Sequence, residues 1–393
     1  MRRALLALLF VVGIVSFSCQ RLYRVQITDP ADALVPLEAQ DIPTIRDDMD
    51  MASLKEAIMR SLQYLDRLPP QRTFRFGPRL TTSAHLKETL EAFLELIETA
   101  QSREDLFRAA AGRFRWYQAA GYNIFRDVLF TGYYVPVLEG SLRPHGPYKY
   151  PIYRRPPELL DIPLGLFRAS LKGILLRGMI QGQRVVPYYS RAEIDLQNAL
   201  EGRGLEIAWL KDPVDRFFLH IQGSGKIIMD DGSSIFVSYA SSNGHPYRSI
   251  GRLLVQEDVI PAGRISMQAI RTYLAENPQK MHEILSHNPS YVFFRIVDDG
   301  PRGSLDVPLT AGRSLATDPR FFPRGALAFI DTEAPRVNEK GTGTIRRFVL
   351  NQDTGGAIRG SGRADLFFGL GSEAESLAGR MRHKGRLYFL LLK

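Results

Sequence analysis

The chain has 393 residues, with 51 Lys and Arg against 42 Asp and Glu, a formal net charge of +9. Its single cysteine, Cys19, excludes an intramolecular disulfide, so stability has to come from a buried core. The positive surplus favours anionic partners such as cell-wall polymers or lipid head groups, although charges mixed along the chain do not select among them.

The N-terminus places Arg2 and Arg3 before an uncharged apolar run from Ala4 to Phe17, followed by Ser18 and Cys19. This is the pattern of an export signal. The run is shorter than the roughly 20 residues a membrane-spanning helix needs. Residues 1–18 are therefore read as a signal peptide, and export argues against a nucleic-acid partner. Cys19 stands where a bacterial lipoprotein is cut and acylated, with the small Ser18 before it. Ser16 departs from the bulky aliphatic residue usual three places upstream, so an ordinary signal peptide cut nearby is the competing reading. Residues 19–46, with Pro30, Pro36 and Pro43 and no clear period, read as a tether.

Past the tether the periodicity turns helical. Ser53 and Glu56 have the spacing of a capping box, and Leu54, Ile58, Leu62 and Leu65 share a face before Pro69 and Pro70 stop the helix. A second helix carries Leu86, Leu90, Phe93, Leu94 and Ile97 on one stripe. A third opens at Ser102, with Asp105 in its first turn, and runs toward Tyr117. After Gly121, short β-rich runs separated by Gly, Pro and Asn predict antiparallel strands at 128–137, 149–154, 206–210, 216–222, 226–229 and 234–240. Helical signals return at 266–275 and 278–286, broken at Asn277-Pro278. Strand-like segments follow at Tyr291–Val297, Ala326–Ile330, Ile345–Gln352 and Arg386–Leu392. About 375 residues remain after the signal, enough for two domains. Helices and late strands bracket a block of early strands, as expected of a β domain inserted into another domain.

The densest chemical signal is the stretch from Asn351 to Gly371, where Asp353 and Asp365 bracket a loop with glycines at 355, 356, 360 and 362. A strand to Asp353, a glycine-permitted turn and a returning strand would bring the two carboxylates together. Paired acids suit glycoside chemistry, in which one carboxyl group protonates the leaving oxygen. Holding an aspartic acid protonated at neutral pH means raising its pKa by roughly 3, about 4 kcal/mol. Burial and a neighbouring carboxylate supply that together. The plain alternative is a turn carrying two solvated aspartates.

Other chemistries fit less well. The chain has no G-x-x-x-x-G-K-[ST] phosphate loop. Among seven histidines only His282 and His287 are close, and a spacing of five puts them off one helical face, so no metal site is expected. Ser224 in Gln-Gly-Ser-Gly lacks the full nucleophile-elbow pattern, which leaves Gln222 and Ser224 as substrate contacts or turn residues. Thr131 and Tyr133, in Phe130-Thr-Gly-Tyr-Tyr-Val-Pro136, fall on one face of a strand, and Tyr offers sugars both a flat apolar ring and a hydroxyl.

Taken in order, Phe130–Pro136, Tyr150-Pro-Ile-Tyr-Arg154, Gln222–Gly225, Asn243–Gly251, Asn288–Phe294, Val307–Ala316 and the aspartate loop resemble the MltA family of lytic transglycosylases, over roughly residues 125–393. The C-terminal part is similar to a 3D domain, named for three aspartates, here Asp318, Asp353 and Asp365. The resemblance implies a mainly β protein with helical additions. A double-psi β-barrel (47–136 plus 263–393, the 3D domain about 305–393) would carry a smaller inserted β-barrel (137–262), with a groove between them. It implies Asp365 as the catalytic acid, Asp353 as its nearby partner, and Thr131, Tyr133, Gln222 and Ser224 as groove residues, with no cofactor. The implied reaction cleaves the β-1,4 bond between N-acetylmuramic acid and N-acetylglucosamine and leaves a 1,6-anhydro sugar. The alternatives are a hydrolytic muramidase that uses both carboxylates on water, and a non-catalytic peptidoglycan-binding scaffold. Expected partners are peptidoglycan glycan strands, the membrane through Cys19 on the periplasmic side of the outer membrane, and cell-wall synthesis or division proteins. Residues 157–205 run longer than the family minimum and imply an extra element in the inserted domain.

Overall fold

The computed structural model describes residues 25–336 and 341–393; the expected signal peptide and Cys19 lie outside the described residues. The chain divides into two compact units. The first takes in the described residues up to Tyr133 together with Gly303–Gly369 and Arg380–Lys393, and the second takes in Tyr134–Arg302 with Leu370–Gly379.

The first unit begins with β1 (Leu34–Pro36) and helix α1 (Met51–Asp66). The cap of α1 differs from the expected one. Asp50, three residues earlier, accepts the Ser53 N–H at 2.7 Å, while the Ser53 hydroxyl turns back onto the Asp50 carbonyl. Asp50 satisfies an orphan N–H at the helix start with a full negative charge, and Glu56 is left to pair with Arg60. Hairpin β2 (Thr73–Phe76) and β3 (Arg79–Thr82) leads into α2 (Ser83–Thr99), which buries Leu86, Leu90 and Phe93 as its period requires. Helix α3 (Arg103–Arg113) starts at the Ser102 cap as expected, but it stops four residues before Tyr117. Phe114–Ala119 is instead strand β4, whose aromatic residues bury Trp116 and Tyr117 between β1 and the C-terminal strand. β-Propensity and the pairing available on both sides override the helical run there.

Strand β5 (Val128–Val135) carries the chain into the second unit. That unit contains β6 (Val137–Ser141), β7 (Tyr150–Tyr153), β8 (Leu160–Pro163), β9 (Leu175–Gln181), β10 (Arg184–Pro187), α4 (Arg191–Asp195) and β11 (Glu206–Leu210). Residues 216–222, expected as a strand, lie in helix α5 (Pro213–Gln222). Asp212 caps its start, Pro213 occupies the first turn, and Gly223 ends it at φ +77°. These start and stop signals outweigh the local β-propensity of Phe217-Phe-Leu-His-Ile. Strands β12 (Ser224–Met229) and β13 (Ser234–Ser242), helices α6 (Ile250–Gln256), α7 (Met267–Glu276) and α8 (Met281–Ser286), and β14 (Val292–Val297) complete it. Six strands in the order β14-β13-β12-β6-β11-β7 form its main sheet, and the edges meet at one bridge between Arg154 and Phe294. Strands β8, β9 and β10 form a separate three-stranded sheet within the long 157–205 segment.

The chain then returns with β15 (Ser314–Ala316), β16 (Leu327–Pro335), β17 (Thr342–Asp353), β18 (Arg363–Leu370), α9 (Gly371–Arg380) and β19 (Arg382–Leu392). Because β19 pairs with β5 as well as β16, the strands β19-β16-β17-β15-β18-β5 close into a six-stranded barrel. Its wall is packed with Phe329, Phe348, Leu350 and Phe389, and α1 and α2 cover it with Leu54, Ile58 and Phe93. Each such side chain stabilises the fold by about 1.5–3 kcal/mol through burial.

Candidate active site

The site is built around β15, three buried residues held from below by a buried ion pair. Arg313 donates to both carboxyl oxygens of Asp47 at 2.7 and 2.8 Å, and both side chains are fully buried. The same guanidinium also donates to the carbonyls of Phe348 and Asp50. β15 runs parallel to β17 and antiparallel to β18, and Ala316 stands opposite Asp353 on one side and Asp365 on the other. Cross-strand partners share a sheet face. Both carboxylates therefore rise on the same face, two strand spacings or about 10 Å apart at Cα, over a residue too small to fill the space between them. The expected hairpin between the two aspartates is absent, since β15 separates their strands. Buried amides fix the end of β17: Gln352 binds Ala57, Ser61 and Ser314, and Asn351 binds Pro323 and Thr317.

The two carboxylates have different surroundings. Asp353 accepts three donors: the Tyr133 hydroxyl at 3.0 Å and the backbone N–H groups of Ser304 and Thr354, each at 2.8 Å. Asp365 accepts one hydrogen bond among the described residues, from the Thr131 hydroxyl at 2.7 Å. Arg363, two residues before Asp365 on the same strand face, donates to that hydroxyl at 3.3 Å, and its buried Nε has no partner among the described residues.

These contacts set the proton affinities. Asp365 is partly buried, and the dense protein around it strips enough water to push its carboxyl up to about 6. The nearby Asp353 charge adds to this, while Thr131 and Arg363 oppose it. Burial also raises Asp353, and its three donors hold that rise down. Tyr133 is pushed well above the usual phenol range by burial and by Asp353, so it keeps its proton and stays a donor. Its ring lies 5.2 Å from that of Phe367. The arrangement offers one carboxyl group able to give or take a proton near neutrality beside a second that accepts several hydrogen bonds.

The third aspartate has another task. The Asp318 side chain is fully buried and accepts the Gly360 N–H at 2.7 Å together with the Arg320 backbone and guanidinium. Burial pushes its carboxyl up, but these donors outweigh it and leave Asp318 below the usual carboxylate range. It thus clamps the loop that joins Asp353 to Asp365.

Four of the expected residues, Asp353, Asp365, Thr131 and Tyr133, come together in the first unit. Gln222 and Ser224 lie in the second, where Gln222 ends α5 and the buried Ser224 hydroxyl sits 3.1 Å from that of Ser238. Sequence reasoning missed Ser304, Arg363 and Gly303. The i−2 position of Arg363 on the Asp365 strand was the available signal. A Cβ on Gly303 would lie 2.7 Å from the Gln352 carbonyl and 3.3 Å from the Asp353 carboxyl carbon, a close approach no local pattern announces. Among the described residues, no three His, Cys, Asp or Glu side chains are grouped to hold a metal ion.

Comparison with known proteins matches residues 129–295 to the MltA-specific insert domain and residues 313–391 to the 3D domain. Membrane-bound lytic murein transglycosylase A of Escherichia coli (strain K12) is 34% identical over 278 residues, 70% of this chain and 68% of that protein. The structure is similar to that of the membrane-bound lytic murein transglycosylase from Agrobacterium tumefaciens, with TM-score 0.76, 35% identity, and 92% and 98% of the two chains covered. It is also similar to E. coli MltA with bound chitohexaose, with TM-score 0.71, 27% identity, and 94% and 96% covered.

Proposed function

The chain belongs to the MltA family of membrane-bound lytic murein transglycosylases, a double-psi β-barrel with an inserted domain, and from that premise we propose that Asp365 is the single acid/base with which it cleaves peptidoglycan glycan strands. In the reaction the Asp365 proton passes to the glycosidic oxygen as the bond from C1 of N-acetylmuramic acid breaks. The C6 hydroxyl of the same sugar then closes on C1 and gives its proton back to Asp365. One C–O bond breaks and one forms, no water is consumed, and the product ends in 1,6-anhydro-N-acetylmuramic acid. An internal nucleophile gains its rate from proximity, so a single residue can serve both steps.

The observation that carries this reading is the pKa of about 6 at Asp365 with one hydrogen bond to its carboxyl group. A group that titrates there is populated in both protonation states near neutrality, which a residue acting first as acid and then as base requires. Asp353 orients Asp365 and tunes it through charge. Thr131 and Tyr133 support the pair, and Gln222 and Ser224 contribute contacts to the glycan. The enzyme acts after export, on the periplasmic side of the outer membrane, tethered by an acylated Cys19.

Digestion of isolated sacculi followed by mass spectrometry tests the mechanism. The wild-type protein is expected to release anhydro-ended muropeptides, and Asp365→Asn is expected to release none while still binding sacculi. Reducing ends in place of anhydro ends would instead establish a hydrolytic muramidase. Undiminished cleavage by Asp365→Asn would remove Asp365 from the chemistry.

A further inference from the structure

The small sheet of β8, β9 and β10 is turned the wrong way round for an ordinary surface sheet. Ile162 pairs with Leu176 and Ile180 with Val185, and Leu176 and Ile180 are four residues apart on β9, so all four side chains share one face. Leu176, Ile180 and Val185 on that face are solvent-exposed, Ile180 at 66%, and Ile162 is half-buried. The opposite face is the docked one: Arg177 donates to Ser242 at 2.8 Å, and Met179 packs against the cluster of Tyr153 and Tyr188. The turn between β8 and β9 continues the apolar surface with Leu166 at 84% and Phe167 at 72% exposure. Contiguous apolar surface of this kind marks an interaction site.

Charge indicates the occupant. The one acid of residues 160–187, Asp161, lies on the docked face paired with Arg177 and Arg155. From Ile162 to Ala192 there is no Asp or Glu, while Arg168, Lys172 and Arg184 are exposed around the apolar residues. Apolar side chains rimmed by cations, without acids, match the interface of an anionic bilayer, where Leu and Phe enter the acyl boundary and Arg and Lys stay at the phosphates. No helix among the described residues is long and apolar enough to cross a membrane. We propose that residues 160–187 form a membrane-surface element that seats on an anionic bilayer, a protein-borne contact additional to any acyl group on Cys19. It goes beyond the proposed chemistry and does not depend on Asp365.

The test places a fluorophore at the turn of the full-length protein. Phe167→Trp is incorporated with vesicles of phosphatidylglycerol and phosphatidylethanolamine whose acyl chains are brominated, and emission is compared with that of the wild type. The added fluorescence is expected to be quenched on contact with brominated chains, since Leu and Phe side chains of an interfacial element reach the acyl boundary. The quenching should be lost when Arg168→Glu and Lys172→Glu are added, or when phosphatidylcholine replaces the anionic lipid. Absence of quenching in the vesicle-bound protein would overturn the proposal. So would a self-associated protein in which Phe167→Trp is shielded but not quenched, since a second copy would then cover the face. Muropeptide release from isolated sacculi, which carry no bilayer, reports on Asp365 separately, so either reading can fail alone.

Discussion

Replacing Asp365 by Asn removes an ionisable group while keeping its shape and its one hydrogen bond, because the amide oxygen still accepts from Thr131. In the native protein burial lifts this carboxyl from 3.8 to about 6, so the folded state holds the proton more tightly than the unfolded chain. The stability this group contributes is fully present below 3.8 and is lost as pH rises through about 6. At roughly 1.4 kcal/mol per pKa unit, a rise from 3.8 to about 6 makes the penalty about 3 kcal/mol on the alkaline side. Asparagine stays neutral throughout. Asp365→Asn should therefore gain up to about 3 kcal/mol on the wild type between about pH 4 and about pH 8. Urea denaturation of both proteins at both pH values measures this, with midpoints converted through a common m. Asp353 is present in both and cancels to first order. If the gap stays constant, or closes as pH rises, the Asp365 carboxyl is not desolvated as described. The acid role would then lose its physical basis, whatever the variant does to activity.

Thr131→Val removes the only donor to the Asp365 carboxylate among the described residues, and a hydrogen bond to a charged group is worth about 1.5–3 kcal/mol. The alkaline limb of kcat/KM on sacculi should move up by about one to two pH units, and Thr131→Ser should leave it in place. Gly303→Ala forces a methyl group to within 2.7 Å of the Gln352 carbonyl, beside Asp353; kcat should fall, with a stability loss of about 1–3 kcal/mol in urea. Asp318 has the opposite sign to Asp365, since its depressed pKa adds stability above the ordinary carboxylate range that is lost as pH falls. Asp318→Asn should therefore destabilise by about 1.5–3 kcal/mol at neutral pH and progressively less toward pH 3, followed by thermal melting. Asp47→Ala strands the fully buried Arg313 and should cost about 3–5 kcal/mol in urea unfolding.

The legibility of the fold follows the reach of the forces involved. The stripes on α1 and α2 were readable because a helix buries residues three and four apart, all supplied locally. At 216–222 the β-propensity of Phe217-Phe-Leu-His-Ile points to a strand, but the Asp212-Pro213 start and Gly223 stop beside it set a helix. Overrunning α3 to Tyr117 had another cause. Gly112 is the one weak helix former between Ala110 and Phe114, and the strand that follows exists because β1 and β19 are present to pair with it. Strand β15 is three residues long, below any periodicity, yet it is the element that separates and aligns the two aspartates.

At the site, sequence reasoning succeeded where one strand's alternation was enough and failed where two distant segments meet. Thr131 and Tyr133 were placed on a common face by a period of two, and each reaches a different aspartate. Ser304 donates to Asp353 through its backbone from 49 residues away, a distance no local pattern spans, and its hydroxyl also lowers the Asp353 carboxyl. This bears on why two aspartates flanking the same Ala316 have unequal surroundings. Burial acts on both in the same direction, and among the described residues more donors face Asp353, from Tyr133, Ser304 and Thr354, than face Asp365, which has the Thr131 hydroxyl and the nearby Arg363 charge. Two of the three at Asp353 are backbone N–H groups, which no side-chain substitution removes. The one at Asp365 is a threonine hydroxyl that a single methyl-for-hydroxyl exchange deletes. The Asp353 carboxyl is therefore held largely by backbone donors, whereas the groups that lower Asp365 are the side chains of Thr131 and Arg363.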